Sequence, residues 1–112
     1  FTSPLAIVPK YGKNAASARV AAARLRQAAR GGSAYRTNAD IPDALLDAAA
    51  LPTAEARTLL GRAVERLGLS ARAARRTLRV ARTIADLAAE PRTGAPAIAE
   101  ALGYRDRLPP RA

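Results

Sequence analysis

The stretch LSARAARRTLRVARTIADLA, from Leu69 to Ala88, constrains this chain most. In it Leu78, Ala81, Ile84, Ala85 and Ala88 recur at helical spacing with no glycine or proline between them. A segment with this pattern must be a long helix that buries one stripe, and Ser70 in front of it is a favourable N-cap. The opposite side is basic. Arg72, Arg75, Arg79 and Arg82 advance by three or four residues and stack along one face, with Arg76 beside them. A helix that buries one side and carries this much positive charge needs either partners for its arginines or a ligand.

The rest of the chain divides at its own stop signals. A first helix is expected from about Asn14 or Ser17 to Arg30, halted by Gly31 and Gly32. It places Val20, Ala23 and Gln27 on one face and Arg19, Arg26 and Arg30 on another. Asp40 is read as the N-cap of a short second helix, IPDALLDAAA, with Pro42 in its first turn and Pro52 disfavouring helical geometry at Leu51. Thr53 opens a third helix in which Ala56, Leu60, Ala63, Val64 and Leu67 repeat until Gly68. A last short helix is expected from about Ala95 to Leu102, with Pro96 at its start and Gly103 after its end. No stretch alternates strongly enough to be a strand. The prediction is an all-α bundle of about five helices over residues 14–105. An extended arm precedes it at 1–13, where Pro4, Pro9 and Gly12 break any helical period, and a flexible tail follows at 106–112.

A chain of 112 residues is sized for one domain. It is 49% hydrophobic but only 4% aromatic, and alanine supplies much of the difference, so the helices should pack closely around a thin core. Cysteine and histidine are both absent, which excludes disulfides, thiolate metal sites and the commonest general base. No run approaches the roughly 18 apolar residues that span a bilayer, so no membrane contact is expected and the chain reads as cytoplasmic. A first residue of Phe rather than Met points to a piece of a longer protein. The net charge of +10 would draw polyanions, although a general bias toward Ala and Arg would produce it too.

Individual motifs are sparse. YGKN at Tyr11 to Asn14 hints at a phosphate loop, but a Walker A motif needs Gly where Ile7 stands and Ser or Thr where Asn14 stands. Asp43 suits a first helical turn, and Asp86, four residues after Arg82, suits an ion pair better than a catalytic base. No acidic cluster predicts a metal site. Tyr35 and Tyr104 are too few for a base-stacking platform. GLGLS before a basic helix permits a helix-turn-helix, yet that helix has no Asn or Gln to read bases. Arg72 differs from its neighbours because it falls in the first turn, where free amides and the helix dipole favour an anion. It can meet a phosphate there, or be one more solvated arginine. A second function class is sequence-nonspecific nucleic-acid binding, with Arg19, Arg26, Arg30, Arg75 and Arg79 as phosphate contacts.

GLSARA followed by RTLRVARTIADLA resembles the most characteristic stretch of the magnesium-chelatase-like ATPases of the ComM/YifB type, a branch of the AAA+ proteins. Arg19-Val20, Ala23-Arg24, Gln27 and Arg30 are similar to that group's RV-x2-AR-x2-Q-x2-R helix. Asn38 with Ile41 resembles its following N-x2-L, and AEALGYR at Ala99 to Arg105 resembles its closing EALxYR. The likeness spans Arg19 to Arg105. It departs at Ala74 and Arg75, where the family usually has an aromatic residue and His, and at Ala50, where Cys is frequent.

The resemblance implies a C-terminal helical lid of an AAA+ ATPase, with the nucleotide-binding core N-terminal to Phe1. It implies ATP and Mg2+ as cofactors of the full-length parent, none bound by this piece alone, and no turnover by the piece itself. It implies neighbouring subunits of a ring and a link to DNA processing during competence as well. Motif for motif, Arg72 takes the place of the sensor 2 arginine that reaches the γ-phosphate. Metal insertion into a tetrapyrrole is the third implication of the family name, and the sequence offers no ligand set for it.

Overall fold

The computed structural model describes residues 15–107; the arm expected at 1–13, the YGKN stretch and residues 108–112 lie outside the described residues. Among the described residues five helices form in chain order: α1 Ala15–Gly31, α2 Asp43–Ala50, α3 Ala54–Leu67, α4 Ala71–Leu87 and α5 Ala95–Arg107, with a 3-10 turn at Asn38–Asp40 between α1 and α2. The all-α expectation holds. Extended pairing among the described residues is limited to one isolated parallel bridge between Pro52 and Thr93.

The caps explain most of the boundaries. Thr53 accepts a hydrogen bond from the Ala56 amide and Ser70 from the Ala73 amide, so α3 and α4 each start on a side-chain cap. Gly68 closes α3 in the left-handed conformation, φ 64°, where a residue without Cβ is unstrained. Two expectations at the ends are corrected. Asp40 does not cap α2, because the 3-10 turn intervenes. Its carboxylate instead accepts from the Thr37 hydroxyl, and α2 starts after Pro42 with no side-chain cap. Gly103 does not end α5, which continues to Arg107.

Alanine dominates the core, as its abundance suggests. Ala49, Ala50, Ala56, Ala81, Ala85, Ala97 and Ala101 pack with Ile41, Leu46, Leu78 and Ile98 where α4 meets α5, α3 meets α5 and α2 meets α4. Side chains this small let the helices approach closely, as the composition requires. Tyr35 fits by the same logic. A Cβ on Gly31 would lie 2.7 Å from its ring, so the ring packs against bare α1 backbone.

Arg82 is not on a solvated face with Arg72 and Arg75. It is 0% exposed, as is Asp86. Its Nε donates to Asp86 Oδ1 at 3.1 Å, and Nη2 lies 2.9 Å from the same oxygen, so the expected i,i+4 ion pair forms inside the core. Nη1 donates to the Ala50 carbonyl at 3.3 Å and the Pro91 carbonyl at 3.2 Å, and Nη2 donates to the Glu90 carbonyl at 2.6 Å. The guanidinium therefore satisfies the C-terminal end of α2 and the loop after α4 together. Burial pulls Arg82 below its ordinary value and the Asp86 carboxylate opposes that pull.

Asp86 also holds α1 and the 3-10 turn. Arg30 donates to both of its oxygens, at 2.6 and 3.2 Å, and Asn38 Nδ2 donates to Oδ2 at 2.8 Å. Asn38, itself buried, donates its backbone N–H to Gln27 Oε1 and its side-chain Nδ2 to Thr83 Oγ1. Among the described residues no buried side-chain polar atom lacks a partner.

Two stability outcomes follow. Asp86→Ala strands a buried guanidinium and should remove about 3–5 kcal/mol of stability, read as a fall in the urea midpoint, whereas Asp47→Ala in the exposed pair with Arg57 should leave that midpoint nearly unchanged. Gly31→Ala drives a methyl into the Tyr35 ring and should cost about 1–3 kcal/mol in the same measurement.

Candidate functional site

Arg72 is the second residue of α4 and lies on the surface. Together with Ala39, Arg76, Arg79, Val80 and Thr83 it lines an open depression of about 300 Å³ between α4 and the 3-10 turn. Beyond Ala39 and Thr83 a second depression, about 310 Å³, lies between α1 and α4 and includes Val20, Arg24 and Leu87.

The arginines around the first depression differ in what they touch. Arg79 is half-buried; its Nε and Nη2 donate to the Ile41 carbonyl at 3.3 and 2.7 Å, and Nη2 also reaches the Asp43 carboxylate. Arg75 Nε takes the other Asp43 oxygen at 3.1 Å. Arg72 and Arg76 are exposed, and among the described residues neither has a hydrogen-bond or ion-pair partner. The first turn of α4 contains no acidic residue, so Arg72 sits at the positive end of the helix dipole without an acidic neighbour in that turn, and Arg76 follows one turn on. An arrangement that breaks a local stability rule without an internal gain is characteristic of functional sites.

The other sequence-nominated positions fall elsewhere. Arg26 Nη1 donates to the Asp86 carbonyl at 3.0 Å and Arg30 pairs with the Asp86 carboxylate, so both are engaged in the α1–α4 seam. Arg19 is exposed on α1. Of the six nominated arginines, the structure gathers Arg72 and Arg79 around one depression, places Arg75 on the Asp43 clasp at its side, and sets Arg19, Arg26 and Arg30 on α1. Arg76 was not singled out by the sequence, although its i,i+4 spacing from Arg72 is the signal that could have found it. Ala39 and Thr83 come from the 3-10 turn and α4, and no local motif announces their convergence. Among the described residues no group of His, Cys, Asp and Glu could hold a metal ion, and no helix is long and apolar enough to cross a membrane.

The Asp43 clasp sets an electrostatic boundary. The hydrogen bond from Arg79 holds its carboxyl below the usual aspartate value, desolvation opposes this, and the charges of Arg75 and Arg79 add to the lowering. A depressed folded-state value means that the clasp's contribution is complete above the unfolded aspartate value of about 3.9 and disappears as pH falls through the folded one. A carboxyl-detected NMR titration should place the Asp43 midpoint below that unfolded value, and Arg79→Ala should move it upward.

Residues 12–105 match the family described as magnesium chelatase, subunit ChlI C-terminal. The chain therefore belongs to this family of helical C-terminal domains. Over 46 residues it is 56% identical to the competence protein ComM of Haemophilus influenzae (strain ATCC 51907 / DSM 11121 / KW20 / Rd), a match that takes in 41% of this chain and 9% of that protein. The chain thus corresponds to a small part of its curated relative. No solved structure matches it.

Proposed function

We propose that this chain is the C-terminal lid of a magnesium-chelatase-like AAA+ ATPase and that Arg72 is its nucleotide-sensing arginine. The observation that carries this reading is Arg72 itself, an unpartnered guanidinium in the first turn of α4 on the wall of an arginine-lined depression. Family membership supports the wider assignment.

In this mechanism the phosphate tail of ATP lies between the lid and a nucleotide-binding core elsewhere in the longer protein. Arg72 donates to γ-phosphate oxygens and neutralises the charge that develops as the terminal phosphoryl group transfers. Loss of the γ-phosphate removes that contact and lets the lid move. The depression is lined by arginines, which suit a phosphate tail, and by no carboxylate that would suit its Mg2+. Neighbouring subunits of a ring complete the assembly, which works on DNA in the cytoplasm. The lid alone hydrolyses nothing.

The test is ATP turnover of the full-length protein. Arg72→Ala should reduce it by about a thousandfold or more, while Arg66→Ala, at an exposed position on α3, should leave it unchanged. Normal turnover in the Arg72→Ala protein would overturn the assignment.

Sequence-nonspecific nucleic-acid binding is the second reading, favoured by the net charge of +10. Internal pairing of Arg26, Arg30, Arg75 and Arg79 weakens it, because four of its five nominated contacts already have partners. Duplex binding that is absent even at low salt would remove it.

A further inference from the structure

We infer that Arg76 is a second phosphate-binding residue beside Arg72, so that the depression seats two linked phosphates of a nucleoside triphosphate rather than a single terminal one. This rests on the lid reading above and extends it to the shape of the ligand.

Arg72, Arg76 and Arg79 all line the depression. Arg79 is already engaged by the Ile41 carbonyl and the Asp43 carboxylate, so its Nε and Nη2 donors are committed to the wall. Arg75 is held outside the lining by the same carboxylate. The two guanidinia left without partners among the described residues are those of Arg72 and Arg76, one helical turn apart on the same face, with Cβ atoms about 5–6 Å from each other.

A guanidinium binds phosphate best through two parallel N–H donors, and two such forks on one terminal phosphate must share an oxygen. A chain of linked phosphates gives each arginine its own oxygens. The volume of about 300 Å³ accommodates such a chain, and Ala39, Val80 and Thr83 supply no carboxylate to repel it. Two like charges on adjacent turns are mutually repulsive, and an anion between them removes that penalty. Phosphodiester backbones share the oxygen chemistry, but each of their phosphates carries a single charge and is separated from the next by a sugar, whereas linked phosphates concentrate charge on adjoining groups.

The experiment follows the arginine Nε–Hε resonances of this chain by NMR while inorganic tripolyphosphate, orthophosphate or duplex DNA is added at low salt. The expected result is that the Arg72 and Arg76 signals shift together with tripolyphosphate at one common midpoint. Orthophosphate should require a clearly higher concentration. Arg76→Ala should weaken tripolyphosphate binding by about tenfold, the loss of one charge-assisted contact, and Arg66→Ala should change it little.

If the Arg72 signal shifts alone, or if Arg76→Ala and Arg66→Ala weaken binding equally, the assignment of Arg76 is overturned while that of Arg72 stands. Equal midpoints for orthophosphate and tripolyphosphate would also overturn it, because the seat would then read one phosphate. Duplex DNA binding more tightly than tripolyphosphate through the same two signals would replace the nucleotide with a nucleic-acid backbone. If neither signal moves, the seat does not exist; turnover by the full-length Arg72→Ala protein then decides separately whether the lid reading survives.

Discussion

The salt bridge between Arg82 and Asp86 is the interaction on which the remaining architecture depends. Taking both charges out of water is expensive, and the arrangement persists because their remaining polar capacity is used. Arg82 reaches backward to the end of α2 and forward to the loop after α4, while Asp86 gathers Arg30 from α1 and Asn38 from the 3-10 turn. A core built mostly of alanine fixes distances but specifies orientation weakly, since methyl groups offer little shape to interlock. The polar cluster supplies the orientation. It sets the azimuth of α4, which determines that Arg72 and Arg76 face the 3-10 turn while Leu78 and Ala81 face inward.

Ala50 shows how this cluster extends to the helix connections. Its carbonyl accepts from Arg82 Nη1 and, at 2.7 Å, from the Thr93 hydroxyl, while the Thr53 amide donates to the Thr93 carbonyl at 3.0 Å. Arg92 adds a hydrogen bond to the Pro52 carbonyl. The segments before α3 and before α5 are thereby stitched side by side. Left-handed backbone at Leu51, φ 46°, and at Ala89, φ 58°, is tolerated where these bonds pin the chain around it.

Helix number and type were legible in the sequence because periodicity and caps are local properties. Thr53, Gly68 and Ser70 act where their side chains or conformational freedom predict. Asp40 was misread because a capping residue before Pro42 and a 3-10 turn carry the same local signal, and only the packing of Asn38 against Gln27 and Asp86 separates them. Gly103 was misread because glycine permits a helix to stop without requiring it. The interior position of Arg82 was hidden for a different reason. Its spacing places it in register with Arg72, Arg75 and Arg79, and its pairing with Asp86 is equally compatible with a solvated surface. Burial depends on α2 and the loop after α4 closing over it, which no local pattern encodes. For the site, the place of Arg72 in the first turn was legible, whereas the division into engaged and unengaged arginines required knowing where Asp43 lies in space.

The cluster also shapes the mutational routes open to this domain. Arg30, Asn38, Arg82 and Asp86 come from three separate elements, and each is the partner of at least one other. Converting the group to an apolar core would require changes at several of these positions together, because each single replacement leaves a neighbour buried without its counterpart. Exposed positions on the same helices carry no such coupling. Sequence divergence in such a domain should therefore proceed unevenly, with gradual change on the surface around a polar knot whose members change together or not at all.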